Sequence, residues 1–407
     1  MPEDIISRVL RLTGYVVTEH ALDEEAMTFT LWVNQNPKDP FHVCRECGIG
    51  VRRVHDWKER RVRDLPWGTW KVWLMVRVHR VVCGRCGVTT EALPFLEGKH
   101  PYTRRFREAV GRECEDAPVS RVAARWDLSP QTVRRIDKRS LEEWSRKRAR
   151  RPLRQMGVDE IFWKKGACLT VVSDLELGEP IWAGPERKKE TLDRFFAEKL
   201  PSRRRSSVRA VCVDMWKPFL QSIREHLPKA AIVFDKFHVM KHVNDAVDET
   251  RRQEFFRQGG RLRAVVRGKR WLFLTRWENL SRAKRGKLNQ AFALNRRLFK
   301  AYFLKEQIER LWDYTYEGAA WRFFWSWVDS LRWQRLPAFK KLASMLIRHL
   351  SGIVSHCHHK VPFGVVEAIN GNIRSVIRRG RGYRDHEYLI LKVQKSTAQA
   401  RLLRAAA

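Results

Sequence analysis

Short runs of alternating apolar and polar residues, separated by turn residues, characterise the chain between about residues 153 and 240. The first runs, which predict three successive strands, are 154–161, 167–174 and 180–184. The later elements are a predicted helix at 189–200, strand at 208–213, helix at 217–227 and strand at 230–234. Three strands followed by strand–helix alternation predict a mixed sheet with helices packed on it, an α/β layer architecture.

The pattern changes after this region, and residues 240–360 are predicted to be helical throughout. Tryptophans are interleaved there with Arg and Lys, as in Lys269-Arg270-Trp271 and Arg332-Trp333. An aromatic stripe at helical spacing is typical of a helix–helix core. The alternative is a platform on which nucleic-acid bases stack, and both interpretations stay open at this level.

Two C-x-x-C pairs mark the N-terminal part, where residues 1–40 are only weakly patterned. The pairs are Cys44/Cys47 and Cys83/Cys86, and each is followed by glycine, which allows a tight turn around the sulfurs. The strand predicted before the second pair has one apolar face, formed by Val72, Leu74, Val76 and Val78. Four thiolates in two such pairs predict a structural tetrahedral Zn²⁺ site, with two unmetallated turns as the alternative.

Residues 118–139 have the pattern of a helix-turn-helix. An apolar face at 119–123 is followed by the turn Trp126-Asp127-Leu128, and Ser129-Pro130 begins a second helix with Ser as N-cap and Pro at the first position. Val133 and Ile136 face inward. The outward side chains, which suit a major groove and its phosphates, are Gln131, Thr132, Arg134, Arg135, Lys138 and Arg139. The alternative is an ordinary helical hairpin with a solvated basic face.

The formal net charge of +35 comes from 81 Lys plus Arg against 46 Asp plus Glu. The excess is spread along the chain: residues 41–155 carry 28 basic and 14 acidic side chains, and residues 156–407 carry 50 and 25. Folded surfaces with this charge need a polyanion to neutralise them, and double-stranded DNA is the partner we expect.

The sequence gives no indication of a membrane protein. Nowhere does an apolar run approach the length of about 18 residues that a transmembrane helix needs. The acidic N-terminus lacks the apolar segment of a signal peptide. We therefore expect a cytoplasmic protein associated with the nucleoid, and in that compartment paired cysteines favour metal binding over disulfides.

Three separated carboxylates have contexts that suit divalent-metal chemistry. Asp159 lies in the apolar run 156–161, Asp214 directly follows the strand 208–213, and Glu367 lies in the predicted helix 363–370. An aspartate after a strand is more often only the N-cap of the next helix, and Asp235 has the same context as Asp214. Carboxylates that converge repel one another unless a cation neutralises them, and hard oxygen ligands select Mg²⁺ or Mn²⁺.

Glu367 begins a polar stripe on its predicted helix. Asn370, Arg374 and Arg378 follow at helical spacing on the same face, and Val366, Ile369, Ile373 and Val376 form an adjacent apolar face. An acid that leads a stripe of arginines is suited to hold a metal while the arginines hold the DNA strand.

On these residues the chain resembles the DDE-type transposases of bacterial insertion sequences, in particular the ISL-three family. The resemblance covers nearly the whole length. Its motifs are the paired C-x-x-C, the helix-turn-helix, Gly157-Val158-Asp159-Glu160, Asp214 with Pro218 close behind, Asp235-Lys236-Phe237-His238, and Glu367 leading to 378–384. One departure is Ala368, where the family usually has glycine; alanine is the better helix former, so we expect the site to remain intact.

The resemblance implies an RNase H-like catalytic domain with an all-α insertion, preceded by a zinc-binding domain and a helix-turn-helix domain. The predicted boundaries are 1–100 for zinc binding, 101–152 for the helix-turn-helix and linker, 153–239 and 361–407 for the catalytic parts, and 240–360 for the insertion. It also implies that Asp159, Asp214 and Glu367 bind two Mg²⁺ or Mn²⁺ ions per active site. Asp235, His238 and Asn370 are expected near that site, with Asp235 as the alternative second ligand.

The implied activity is that of an insertion-sequence transposase. It would bind terminal inverted repeats, cleave phosphodiester bonds at the element ends by two-metal-ion hydrolysis, and join the 3′ ends to target DNA. A homodimer is expected because two ends must be brought together. The alternatives are a transposase-derived DNA-binding regulator without catalysis and a structure-selective nuclease.

Overall fold

The computed structural model describes residues 3–10, 12–39, 41–149, 151–164, 166–257, 260–362 and 364–406. Lys165, in the predicted turn after the first catalytic strand, and Phe363, at the start of the predicted Glu367 helix, lie outside these residues. The chain divides into two compact units, Met1–Arg148 and Ala149–Ala407. None of the helices in the described ranges combines the length and apolarity needed to cross a membrane.

The first unit consists of a twisted sheet followed by three helices. Its elements are α1 (Glu3–Leu10), β1 (Tyr15–Asp23), β2 (Thr28–Gln35), β3 (His42–Val43), β4 (Gly50–Val51), β5 (Val54–Arg63), β6 (Lys71–Cys83), β7 (Gly87–Thr90), α2 (Arg104–Asp116), α3 (Val119–Trp126) and α4 (Pro130–Lys147). The main sheet has the order β1-β2-β6-β5, with β7 also paired to β6. The predicted apolar face of β6 is confirmed, since Val72, Leu74 and Val76 are buried against Leu31 and Val33 of β2 in one core.

The second unit contains the five-stranded mixed sheet. Its first elements are β8 (Gln155–Lys164), β9 (Ala167–Asp174), β10 (Glu179–Pro185), α5 (Lys189–Glu198), α6 (Ser202–Arg205), β11 (Ala210–Val213), α7 (Lys217–His226) and β12 (Ala231–Phe234). The strand order is β10-β9-β8-β11-β12. The first three strands are antiparallel, whereas β8, β11 and β12 run parallel. All five predicted strands and both predicted helices are confirmed within a few residues.

Helices form the rest of this unit. They are α8 (Lys236–Arg257), α9 (Arg261–Val266), α10 (Arg270–Leu274), α11 (Arg282–Leu294), α12 (Arg296–Glu309), a 3₁₀ helix (Arg310–Asp313), α13 (Glu317–Ser330), α14 (Pro337–Val354), a 3₁₀ helix (Ser355–Cys357), α15 (Val365–Arg379) and α16 (His386–Ala406). Four of the seven tryptophans in 240–360 pack into the helical core, with Trp327 buried, while Trp271, Trp325 and Trp333 are exposed. The core interpretation is therefore right for most of these rings.

Helices cover both faces of the mixed sheet. On one face, Met156 and Val158 of β8 pack with Phe195 of α5 and Phe219 of α7. On the other face, Ile161 of β8 packs with residues of α15 and α16, among them Ile369, Ile373 and Leu389. Since side chains alternate along a strand, Asp159 lies on the face that α15 covers.

Candidate active site

The four paired cysteines come together in the first unit. Their sulfurs lie within 4.8 Å of one another, and the Sγ atoms of Cys47 and Cys83 are 3.6 Å apart. Gly48 and Gly87 close the two turns with φ of 74° and 72°, a left-handed conformation that glycine adopts without strain. Backbone N–H groups of Arg85 and Cys86 lower the pKa of Cys83 to about 7. Two hairpin turns with convergent sulfurs fit a structural zinc ion.

The buried carboxylate of Glu91 links β3 and β6, the strands that lead into the two cysteine turns. Both oxygens of Glu91 are engaged: Nδ1 of His42 lies 2.7 Å from one, Nδ1 of His79 lies 2.8 Å from the other, and the His79 backbone N–H donates at 2.7 Å. Burial would raise the pKa of Glu91, but these hydrogen bonds lower it to about 2. Sequence reasoning missed this network, because its members are separated along the chain and only the sheet pairing brings them together.

The predicted helix-turn-helix is confirmed as α3 and α4. Asp127 ends α3 in the left-handed conformation with φ of 50°, and the hydroxyl of Ser129 caps α4 by accepting from the Thr132 backbone N–H at 3.2 Å. Val133 and Ile136 are buried as expected. A further helix, α2, was not predicted; its Phe106 and Val110 complete the small core.

The outward side chains of α4 differ in their availability to DNA. Gln131, Arg134 and Arg135 are exposed, whereas Thr132 and Lys138 are half-buried. Arg139 is exposed but lies 3.2 Å from Glu143 and 3.6 Å from Glu97, so acidic neighbours already hold its charge. Of the predicted residues, Gln131, Arg134 and Arg135 are therefore the most accessible to a DNA groove.

The parallel register sets three aspartates side by side in the second unit. Val213 pairs with Phe234 at the ends of β11 and β12, and Cys212 pairs with Gly157 in β8. Continuing the register places Asp214 level with both Asp159 and Asp235. The acids therefore form a row across adjacent parallel strands, at the edge where ligand groups collect in α/β sheets.

Asp159 is held from two sides. The Asn370 side-chain amide donates to Oδ2 of Asp159 at 2.6 Å, and Nε2 of His238 lies 3.7 Å from its Oδ1. Burial raises the pKa of Asp159, which the charge of His238 partly opposes. Burial alone would lower the pKa of His238, but Asp235 and Asp159 together raise it. The structure thus brings Asp159, Asp235, His238 and Asn370 together.

Asp214 and Asp235 each use one carboxylate oxygen in a local turn. Oδ1 of Asp214 accepts from the Trp216 backbone N–H at 3.1 Å, and Oδ1 of Asp235 accepts from the Phe237 backbone N–H at 2.8 Å. Asp235 therefore has the N-cap role that the sequence allowed, at the start of α8, whereas the N-cap of α7 is Trp216 and not Asp214. The second oxygens have other neighbours, since Oδ2 of Asp235 lies 3.8 Å from Nδ1 of His238 and Oδ2 of Asp214 accepts from an arginine.

An arginine that sequence reasoning missed lies among these acids. The guanidinium of Arg187 donates to Oδ2 of Asp214 and lies 3.1 Å from Oε1 of Glu160. Burial and the nearby Asp214 raise the pKa of Glu160 to about 7. Glu160 could have been noted from its place beside Asp159, whereas no local signal marks Arg187.

Glu367 lies on α15, one turn before Asn370, and is exposed. The helix packs directly on β8, since a Cβ built on Gly157 would lie 3.1 Å from Val366. Arg374 and Arg378 follow on the stripe of Glu367, the first half-buried and the second exposed. Among the described residues, however, Asp159, Asp214 and Glu367 do not form a group whose oxygens all lie within 4.8 Å.

The chemistry of the site fits divalent ions. Four buried polar atoms around it have no hydrogen-bond partner within the described ranges, namely Oε2 of Glu160, Nε of Arg187, Nδ1 of His238 and Oδ1 of Asn370. Buried polar groups are nearly always paired in proteins; the two unpaired oxygens, of Glu160 and Asn370, are atoms that a divalent cation can bind, whereas Nε of Arg187 is a donor and cannot contact a cation. Carboxylate and amide oxygens are ligands that Mg²⁺ and Mn²⁺ accept.

Comparison with known proteins identifies relatives over most of the chain. A family described as "Transposase" matches residues 156–393, the "Helix-turn-helix domain of transposase family ISL3" matches 91–141, and the "zinc-finger of transposase IS204/IS1001/IS1096/IS1165" matches 40–86. The transposase for insertion sequence element IS1001 of Bordetella parapertussis is 33% identical over 372 residues, which cover 90% of this chain and 91% of that protein. The transposase for IS1557 in two strains of Mycobacterium tuberculosis is 28% identical over 378 residues, covering 86% of this chain and 84% of that protein. The resemblance seen in the motifs is confirmed, and the chain belongs to the ISL3 family of insertion-sequence transposases.

Proposed function

We propose that this transposase cleaves phosphodiester bonds at the ends of its own insertion sequence and joins the freed 3′ ends to target DNA. In this proposal Asp159, Asp214 and Glu367 hold two Mg²⁺ or Mn²⁺ ions. The hydrogen bond from Asn370 to Asp159 supports it most strongly. That bond fastens α15, which carries Glu367, to the strand that carries Asp159, although the two acids are far apart in sequence.

The fold assignment in this proposal is an RNase H-like domain with an all-α insertion. Three antiparallel strands followed by two parallel ones, with helices on both faces, support the first part. The second part is supported by the described residues between β12 and α15, which form helices and no strand. The zinc-binding domain at 1–100 and the helix-turn-helix domain at 101–152 complete the proposed organisation.

When bound, the two ions would activate the attacking oxygen and stabilise the leaving oxygen of an in-line displacement. The chain's own residues prepare the site for this. Backbone N–H groups fix one oxygen each of Asp214 and Asp235, and the Asn370 amide fixes Asp159. His238 lies between Asp159 and Asp235, where its imidazolium form would offset part of their mutual repulsion. Arg374 and Arg378 would hold the DNA backbone beside Glu367.

The N-terminal unit supplies DNA recognition in this proposal. Gln131, Arg134 and Arg135 of α4 would contact base edges and phosphates of the terminal inverted repeats, as expected for the second helix of such a motif. A homodimer would bring the two element ends together. Its formation is testable by measuring the mass of the chain bound to one and to two terminal-repeat duplexes.

Single acid-to-alanine variants test the catalytic proposal. Asp159→Ala, Asp214→Ala and Glu367→Ala should each abolish cleavage of a duplex that carries the element ends, while binding to that duplex persists. Asp329→Ala is the matched control, since Asp329 is an exposed acid on α13, a helix that carries none of the site residues. Cleavage retained in any one variant removes that residue from the ligand set, and Asp235→Ala tests the alternative second ligand.

Strand transfer separates the proposed function from its alternatives. With pre-cleaved ends supplied, a transposase joins them to target DNA, whereas a structure-selective nuclease cuts without joining. A chain that binds the repeats but neither cuts nor joins them would be a regulator.

A further inference from the structure

Arg187 is the residue at the candidate site whose role the catalytic proposal leaves open. It lies between β10 and α5, and its side chain is 30% exposed. The guanidinium donates to Asp214 and lies beside Glu160, while its carbon Cζ is 4.5 Å from the centroid of the Trp216 ring. Two carboxylates and an aromatic ring therefore surround the Arg187 cation.

The oxygen that Arg187 occupies is the one a metal would need. Oδ1 of Asp214 is already engaged by the Trp216 backbone N–H, which leaves Oδ2 as the free oxygen of that carboxylate. Arg187 donates to this Oδ2. A divalent ion bound by Asp214 and the guanidinium of Arg187 would therefore compete for the same atom.

The contacts of Arg187 also leave capacity for a second arrangement. Its buried Nε has no hydrogen-bond partner within the described ranges, and neither has Oε2 of Glu160. A planar guanidinium presents five donors in a fixed fork. The Arg187 guanidinium can therefore release Asp214 and still bind Glu160. A cation without this fork of donors could do so less readily.

We propose that Arg187 is an internal cation that neutralises Asp214 before metal binding and yields its oxygen when the divalent ion enters, remaining on Glu160. This inference rests on the proposed function, because it takes Asp214 as a metal ligand. Arg187 is a positioning residue in this scheme: it keeps the ion-free acids from repelling one another, and it weakens ion binding by competing for Asp214.

Two properties should then change in opposite directions when Arg187 loses its charge. In Arg187→Gln, the Kd for Mn²⁺ should fall on the order of tenfold, since a nearby like charge is removed from the ion's surroundings. The ion-free chain should melt at a lower temperature, because the acids lose their neutralising partner. Added Mn²⁺ should therefore raise the melting temperature more in the variant than in the natural chain. If Arg187 served only to support the fold, Arg187→Gln would lower both the melting temperature and the affinity for Mn²⁺.

The measurement is Mn²⁺ binding to the full zinc-loaded chain, followed by the paramagnetic resonance signal of free Mn²⁺. The binding that disappears in Asp214→Ala is assigned to this site. Arg194→Gln is the matched control, because Arg194 carries the same charge on α5 in an exposed setting, where it lies 3.4 Å from Glu198 and 6.0 Å from the centroid of the Trp182 ring. The Kd of Arg194→Gln for Mn²⁺ should stay within about twofold of the natural value, because solvent and salt screen an exposed charge.

Arg187→Lys provides a second variant in case the glutamine variant does not fold. Lysine keeps the charge as a single point and loses the planar fork, so the Kd should fall by a smaller factor, about threefold. If the natural chain binds Mn²⁺ through Asp214 but neither variant binds it more tightly, the Arg187 inference is overturned while the proposed function stands. If Asp214→Ala binds Mn²⁺ as well as the natural chain does, the ligand assignment itself fails.

Discussion

Gly352 allows α14 to lie directly against the end of β12, and its replacement by alanine gives a sharp test of the packing beside the site. A Cβ added at Gly352 would lie 2.5 Å and 2.6 Å from two ring carbons of Phe234. Ordinary carbon–carbon contacts are about 3.5–4.0 Å, so the helix and the strand would have to separate by about 1 Å. Phe234 is itself 4% exposed and directly precedes Asp235, which leaves the ring little room to move.

The expected cost follows from two opposing effects. Overpacking of a buried contact typically costs about 1–3 kcal/mol, and the tight fit at Phe234 favours the upper end. Alanine in place of glycine within a helix contributes about 1 kcal/mol in the stabilising direction. We therefore expect Gly352→Ala to lose about 2 kcal/mol of the free energy of unfolding.

Gly286→Ala is the matched control, because Gly286 lies in α11 with no atom within 4 Å of the added Cβ. That variant should gain about 1 kcal/mol from helix propensity alone. The free energies of unfolding of the two variants should thus differ by about 3 kcal/mol. Both variants gain the same helix propensity, so this difference measures the clash with Phe234 alone.

Hydrogen exchange of peptides from α14 and β12, read by mass spectrometry, measures this stability within the second unit alone. Cleavage of element ends should also slow in Gly352→Ala, by up to about 100-fold, since the backbone before Asp235 is displaced by about 1 Å. If Gly352→Ala proves as stable as Gly286→Ala, the packing of α14 on Phe234 described above is wrong.

Four further outcomes are expected. Asn370→Ala should slow cleavage by about 10–100-fold and leave terminal-repeat binding intact; a rate within twofold of the natural chain would contradict its positioning of Asp159. Chelation of zinc should expose the first unit to hydrogen exchange and abolish repeat binding, and binding that survives complete zinc removal would disprove a structural role. Because the pKa of Glu91 is lowered from 4.5 to about 2, its charge stabilises the first unit by about 3 kcal/mol; this contribution is present above about pH 4.5 and lost as the pH falls toward 2. Glu91→Gln should therefore lower the melting temperature of that unit at pH 7, and an unchanged melting temperature would refute the network's importance. Arg134→Ala and Arg135→Ala should each reduce the salt dependence of repeat binding by about one phosphate contact, whereas an unaltered salt slope would place that side chain away from the DNA.

Local patterns were sufficient for most elements of the second unit. The strands at 167–174 and 208–213 and the helix at 217–227 lie within a few residues of β9, β11 and α7. Each carries its own periodicity and turn residues, so neighbouring positions alone reveal it. The zinc turns were equally readable, because the C-x-x-C spacing and the following glycines are local properties.

Elements without a strong local signal were missed. The β1–β2 hairpin lies in residues 1–40, and most of β1 is exposed, so its sequence lacks the alternation that a half-buried strand would show. The parallel pairing of β2 with β6 joins segments about 40 residues apart along the chain. Register of this kind depends on which apolar faces meet in three dimensions, and a single strand does not specify its partner.

The sequence by itself was enough to identify the paired cysteines, the helix-turn-helix and the family, because the motifs behind them are residue types at short and fixed spacings, and it also singled out Asp159, Asp214 and Glu367 as candidate ligands. Only the tertiary structure decided that Asn370 donates a hydrogen bond to Asp159, that Glu91 contacts both His42 and His79, and that Arg187 donates to Oδ2 of Asp214. These contacts join residues that lie between 12 and 211 positions apart. The physical reason is that electrostatic and hydrogen-bond partners are selected by distance in space, which the chain fixes only when its sheets and helices have packed.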